Sequence, residues 1–487
     1  MRFLAPAIAW ASAWSLCACN VPAETFHPPV AAPDAAPDAA IAAPPTFAMQ
    51  AYVKAFNTGA GDCFGHSVAL SADGSTLAVG AFLEASGGPN PDDNSARDAG
   101  AVYVYVRTAS GWAPQKYIKA ANASADDWFG SSVALSADGS MLAVGAMSED
   151  SSATGVGGND GDNSAPAAGA AYIFTRSGTE WTQQAYLKAS NTDPADQFGA
   201  TVALSADGTA LAVGAITEGG NGTSQANNAA TDAGAVYVFT RSGATWSPPV
   251  YVKPALPVAF DRFGSSLAMS RDGATLAVGI QRPASFGKAY VFVRSGAAWV
   301  EQFKPEAAGS NAGFGTSVAL SGDGSMLAVG AAREDSPATG AGAVYVYTRT
   351  GSTWSTLPAR LTAANAGNGD DFGDTVALSG DGTLLAVGAT LEDSKATGID
   401  GDAGDNSATD AGAVYLFTRS GTAWTQRAYV KASNTGAGDN FGHSLALSTD
   451  GSTLAVGTTS EDSKATGIGG DDGDNSDGNA GAVYVYH

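Results

Sequence analysis

Cysteine is almost missing from this chain. Only Cys17, Cys19 and Cys63 occur in 487 residues, too few for a disulfide framework. Basic residues are scarce as well: 24 Lys and Arg stand against 47 Asp and Glu, a net charge of −23. So acidic a chain repels the phosphates of nucleic acid rather than neutralising them, and no nucleic-acid partner is expected. The same charge favours solubility, cation binding or a basic partner. The apolar run from Phe3 to Leu16 is too short to span a bilayer as a stable helix.

Residues 1–19 read instead as an export signal. Arg2 is the positive region, the apolar run follows, and small residues close it. The closing Leu16-Cys17-Ala18-Cys19 resembles a bacterial lipobox. That resemblance implies lipidation of Cys19 and a mature chain beginning there, tethered to a lipid membrane. The alternative is ordinary signal-peptidase cleavage nearby, for which Leu16 suits the small-residue rule poorly. Acyl chains contribute about 0.8 kcal/mol per buried CH₂, enough to anchor without a spanning helix. Residues 20–46, rich in Ala and Pro, form a semi-extended linker. With Cys19 acylated, Cys63 is a lone thiol at a position that varies freely between repeats.

Glycine, by contrast, is abundant, with 62 residues, and much of it recurs in one phrase. FGHSVALSADGSTLAVGA opens at Phe64 and returns at Phe129, Phe198, Phe263, Phe314, Phe372 and Phe441. A fixed phrase at such a period marks a repeat architecture. SVALS, Asp-Gly and STLAVGA form a β-hairpin, for which Asp-Gly predicts a type I′ turn. A third strand such as 101–107 follows, then a tight turn and a fourth strand such as 181–189. Small residues on the first two strands and large ones on the last two make each unit a wedge. Seven wedges around an axis make an all-β, seven-bladed propeller of four-stranded antiparallel blades. The seventh copy ends after its third strand, and residues 47–55 (FAMQAYVKA) match the missing fourth. The N-terminal strand is therefore expected to complete the last blade and close the ring, making 47–487 one domain.

The Phe-Gly opening and Gly-Ala close resemble FG-GAP repeats, the units of integrin α-subunit propellers and of many bacterial surface proteins. The integrin-type calcium loop DxDxDG is replaced here by a bare Asp-Gly turn. Too few oxygens remain there for calcium's 6–8 ligands, so the chain is similar to the shorter, calcium-free form of the repeat.

A meander places its 1–2 and 3–4 turns on one face and its 2–3 and 4–1 loops on the other, where binding is expected. Aspartate stands two residues before the Phe in six copies (Asp62, Asp127, Asp196, Asp261, Asp370, Asp439), as a structural turn would require. Long acidic 2–3 loops occur in four neighbouring blades: 391–410, 460–478, 83–98 and 148–165. Asp400, Asp402 and Asp405, or Asp471, Asp472 and Asp474, are candidate calcium ligands there; the alternative is a solvated, flexible loop. No cofactor is expected unless calcium occupies these loops. Blades 4 and 5 carry Arg262, Arg282, Lys288 and Arg333, a basic notch suited to carboxylate or sulfate groups, unless Asp261 and Glu334 pair with them. His66 and His443 lie near the axis in the two blades that meet at the closure, two ligands where zinc needs three or four.

None of these residues makes a nucleophile with its base, and no catalytic residue is expected. The reading is a membrane-tethered, periplasmic or surface propeller that binds a protein or glycan through its long-loop face without catalysis. Two alternatives remain: a polysaccharide-active hydrolase or lyase using the same face, and a purely structural envelope protein.

Overall fold

A computed structural model describes residues 47–222, 225, 227–281, 287–306 and 313–487. The signal segment, the linker, Cys19 and Arg282 lie outside the described residues. The chain forms seven antiparallel sheets arranged as a β-propeller. Blade 1 consists of Phe64–Leu70, Thr76–Ala81, Ala101–Thr108 and Gly111–Ile118, running from the axis outward. Blade 7 takes its outer strand from the other end of the domain. Met49–Val53 pairs with Ala482–Tyr486, the third strand of that blade, with Tyr52 opposite Tyr484. His487 and Ala48 exchange both backbone hydrogen bonds, at 2.9 and 3.0 Å. The expected closure is observed.

The reason for the fixed phrase is plain where blades meet. Gly80 lies near the end of the second strand of blade 1, so close to blade 2 that a Cβ there would lie 2.1 Å from the Gly130 carbonyl oxygen. Gly130 is the Gly of the next Phe-Gly and has φ +92°, a region open chiefly to glycine. The Ser67 hydroxyl donates to that same carbonyl at 2.8 Å. A Ser or Thr makes the equivalent bond at each of the other junctions. The last, Ser444 to Gly65 at 2.7 Å, closes the circle. At the other end of the inner strands, the amide of Ala72 donates to the Ala137 carbonyl. Equivalent bonds pass through Ala206, Arg271, Gly322, Gly380 and Thr449 back to Ala72, all at 2.8–3.0 Å.

The Asp-Gly turn is wider than type I′. Gly74 has φ +64° but Asp73 does not have positive φ, and the Gly74 amide donates to the Ser71 carbonyl. This is a type I turn followed by a left-handed glycine. Its side chains explain the change: the Ser71 hydroxyl donates to Asp73 at 2.6 Å, and the Ser75 amide donates to the same carboxylate. Blades 3 and 5 have split outer strands, Thr245–Trp246 with Val250–Val252 and Thr353–Trp354 with Ala359–Leu361. Pro248, Pro249 and Pro358 fall in the gaps, where no ladder donor is available.

A buried ion pair repeated through the ring escapes a reading of the sequence. Glu84, Glu149, Glu218, Glu392 and Glu461 follow the second strands and meet Lys119, Lys188, Lys253, Lys431 and Lys54 at 2.5–3.2 Å, with side chains at most 3% exposed. Blade 5 instead pairs Arg360 with Glu334. Tyrosines complete the lock, as Tyr429 does by donating to Glu392 at 2.8 Å. Removing one partner strands a buried charge, so Glu392→Gln should cost about 3–5 kcal/mol by denaturant unfolding, and Glu392→Gln with Lys431→Met much less. Gly80→Ala should cost about 1–3 kcal/mol by overpacking the blade 1–2 junction, measured in the same way.

Candidate functional site

The turn face repeats the same hydrogen-bonded loop seven times. Asymmetry gathers at the opposite mouth of the axis, in a funnel of about 350 Å³. The residue after each Phe-Gly lines it. Blades 6, 7 and 1 supply Asp374, His443 and His66, whereas blades 2 to 5 supply the smaller Ser131, Ala200, Ser265 and Thr316. The inner strands place all of these at one level because the Phe-Gly glycine takes the same backbone turn in every blade, with φ between 91° and 98°.

The expected histidine pair does meet. The rings of His66 and His443 are 5.1 Å apart, and His66 lies 4.3 Å from Phe82, which in turn packs edge-on against Trp128. Burial pushes the His66 imidazole down to about 3, with His443 adding to the effect, and burial lowers His443 too. Both rings are therefore neutral near pH 7. Neither ring makes a hydrogen bond to another described residue. The Asp374 carboxylate accepts from the Thr390 hydroxyl at 3.2 Å. Nothing within its own repeat marks Asp374; its signal is an acidic residue at the position held by histidine in blades 1 and 7.

The acidic loops sit elsewhere. In blades 2, 6 and 7 they fold back along the neighbouring outer strands, where Val156, Ile399 and Ile468 make antiparallel bridges to Leu187, Val430 and Val53. They are pinned in place, which their composition alone does not disclose. Asp400 accepts from the Tyr429 amide, and Asp402 and Asp405 accept from Gly404 and Ser407 two residues on. Asp471 accepts from Gly473, Asp472 from the Ser433 hydroxyl, and Asp474 pairs with Lys464 at 3.1 Å. Among the described residues no group of three His, Cys, Asp or Glu side chains is placed to hold a metal ion.

The pairing of Arg333 with Glu334 anticipated from sequence is not the one that forms: Glu334 binds Arg360 instead. Burial raises the Asp371 carboxyl to about 6, and the exposed Arg333 opposes that rise. Lys288 is bridged through its backbone to Glu306, and Arg262, just before the inner strand of blade 4, is half-buried with φ 51°. Cys63 precedes the first Phe-Gly, where burial pushes its thiol up to about 11, an unreactive setting.

A family model described as FG-GAP repeat matches residues 48–105, 112–174, 181–239, 299–347, 355–417 and 424–486. The chain belongs to the FG-GAP repeat family. Each matched segment begins in the outer strand of one blade and runs through the first three strands of the next. The matched segments leave out Phe263–Met269, Thr275–Ile280 and Ala289–Ser295, the first three strands of blade 4. Among the described residues that blade also lacks the Glu–Lys lock of blades 1, 2, 3, 6 and 7. No curated protein matches the chain significantly.

The aspartates before Phe serve as turn locks: Asp62 accepts from the Gly59 amide and Asp127 from that of Ser124. Burial raises Asp62, Asp127 and Asp196 to about 7 and Asp439 to about 6. Each binds its proton more tightly folded than unfolded. Its contribution is complete below the unfolded value of about 3.9 and lost as pH rises through the folded value. His66 and His443 act in the opposite sense below the ordinary histidine range, offsetting only part of this. Thermal stability should therefore decline across about pH 5–7 and level off by about pH 8. Asp127→Asn, which keeps an acceptor for Ser124, should reduce that slope in melting curves taken across the range.

Proposed function

We propose that this FG-GAP propeller is an exported, membrane-tethered binding or adhesion protein that recognises a protein or glycan through its loop face. The carrying observation is the funnel, where the ring departs furthest from its own symmetry. Repeated residues serve the scaffold; Asp374, His443 and His66 break the repeat and line open space. A rigid ring presenting unlike side chains at one mouth is a suitable recognition surface. The lipobox-like Leu16-Cys17-Ala18-Cys19 supports attachment through acylated Cys19, with the Ala/Pro-rich segment 20–46 as spacer.

Two experiments test this reading. Cells producing the full chain should incorporate labelled palmitate, and Cys19→Ala should abolish it. The purified chain, screened against glycan and envelope-protein panels, should find a partner whose affinity drops at least about tenfold, or 1.4 kcal/mol, when Ser265→Trp fills the funnel. A partner that binds the variant equally well places recognition elsewhere. A chain with no partner in either panel favours the structural envelope role.

A further inference from the structure

The funnel wall has two characters. On one side stand Asp374, His443 and His66, polar groups with unused hydrogen-bonding capacity. On the other, blades 2 to 5 present the smaller Ser131, Ala200, Ser265 and Thr316. Phe82 packs on His66 without belonging to this lining. Beyond Phe82, the indole N–H of Trp128 is buried without an acceptor among the described residues.

This lining discriminates between ligand chemistries. A phosphate or sulfate would meet the Asp374 carboxylate, while Arg271 lines the opposite end of the axis. An extended peptide seeks a free strand edge, but the inner strands are bonded to their neighbours around the ring. Two imidazoles held neutral donate and accept without selecting for charge. A neutral ligand rich in hydroxyls satisfies both sides, and the space admits about one or two sugar rings.

We propose that the funnel receives a terminal neutral pyranose of a glycan, its hydroxyls bonded by Asp374, His443 and His66 on one side and facing Ser265 and Thr316 on the other. This rests on the loop-face binding reading above and gives it a ligand class. The test titrates the folded chain with maltohexaose, cellohexaose, chitohexaose and mannohexaose, by calorimetry and saturation-transfer NMR. At least one should bind, and the His66 and His443 ring resonances should shift with it. Asp374→Asn and Ser265→Trp should each weaken that binding about tenfold or more while the unfolding midpoint stays at the wild-type value; tenfold corresponds to 1.4 kcal/mol. Failure of every sugar to bind at millimolar concentration overturns the proposal, as does binding that both variants retain. Zinc chloride binding that His66→Ala abolishes, with no sugar bound, reassigns the funnel to a metal and also overturns it. Should the sugars fail while a protein partner still loses affinity for the Ser265→Trp chain, the glycan assignment falls alone and loop-face recognition stands.

Discussion

Everything in this molecule depends on how closely neighbouring blades approach at their inner ends. A carbonyl of one Phe-Gly comes to where a Cβ on the preceding blade's second strand would sit, and a Ser or Thr hydroxyl from that preceding blade donates to it. The contact needs glycine on both sides and a small hydroxyl residue beside it. Seven such contacts, with the backbone ring at the turn end, leave the inner strands little freedom. Any residue on them that is not needed for closure is thereby held at a defined place around the axis.

Stability and recognition are divided between rim and axis. Toward the rim, buried Glu–Lys pairs join the exit of the second strand to the outer strand in five blades, and the long acidic loops of blades 2, 6 and 7 bridge to those outer strands. Burying ion pairs carries a large desolvation penalty, so they bring geometric definition more than net stability: each demands its partner and its tyrosine. The acidic loops protect outer edges that would otherwise offer free backbone groups to another chain. Much of the chain's negative charge thus belongs to edge covering and turn formation. At the axis, by contrast, Asp374, His443 and His66 stand where blades 2 to 5 carry small residues, so the repeated framework does not require them.

Much of the fold was legible because the chain compares with itself. The period implied the blade count, and the match of FAMQAYVKA to WTQQAYLKA identified the closing strand, since both depend on local alternation that repeats in sequence. The turn type was less legible: Asp-Gly alone indicates a two-residue turn, but Ser71 and Asp73 bond each other and open it. The Glu–Lys lock had a visible signal, a glutamate four residues past the second-strand glycine in six copies. Its partner lies far along the chain, 407 residues away for Lys54 and Glu461, and nothing local identifies it. The basic residues were illegible for the same reason, since strand register decides that Glu334 takes Arg360 rather than Arg333.

The sequence by itself determined the repeat, the number of blades, the small-to-large gradient from axis to rim and the strand that shuts the ring. These follow from periodicity and from glycine, whose conformational demands are local. Tertiary structure alone decided which unlike residues share a space. His66 and His443 stand near opposite ends of the domain and meet only because closure makes blade 7 the neighbour of blade 1. Asp374 joins them because the Phe-Gly glycine takes the same backbone turn in every blade. The pinning of the acidic loops was likewise decided by long-range pairing, as Ile468 meets Val53 across almost the whole chain. Periodicity is written along the chain, whereas a funnel exists only once the chain has come round to its own beginning.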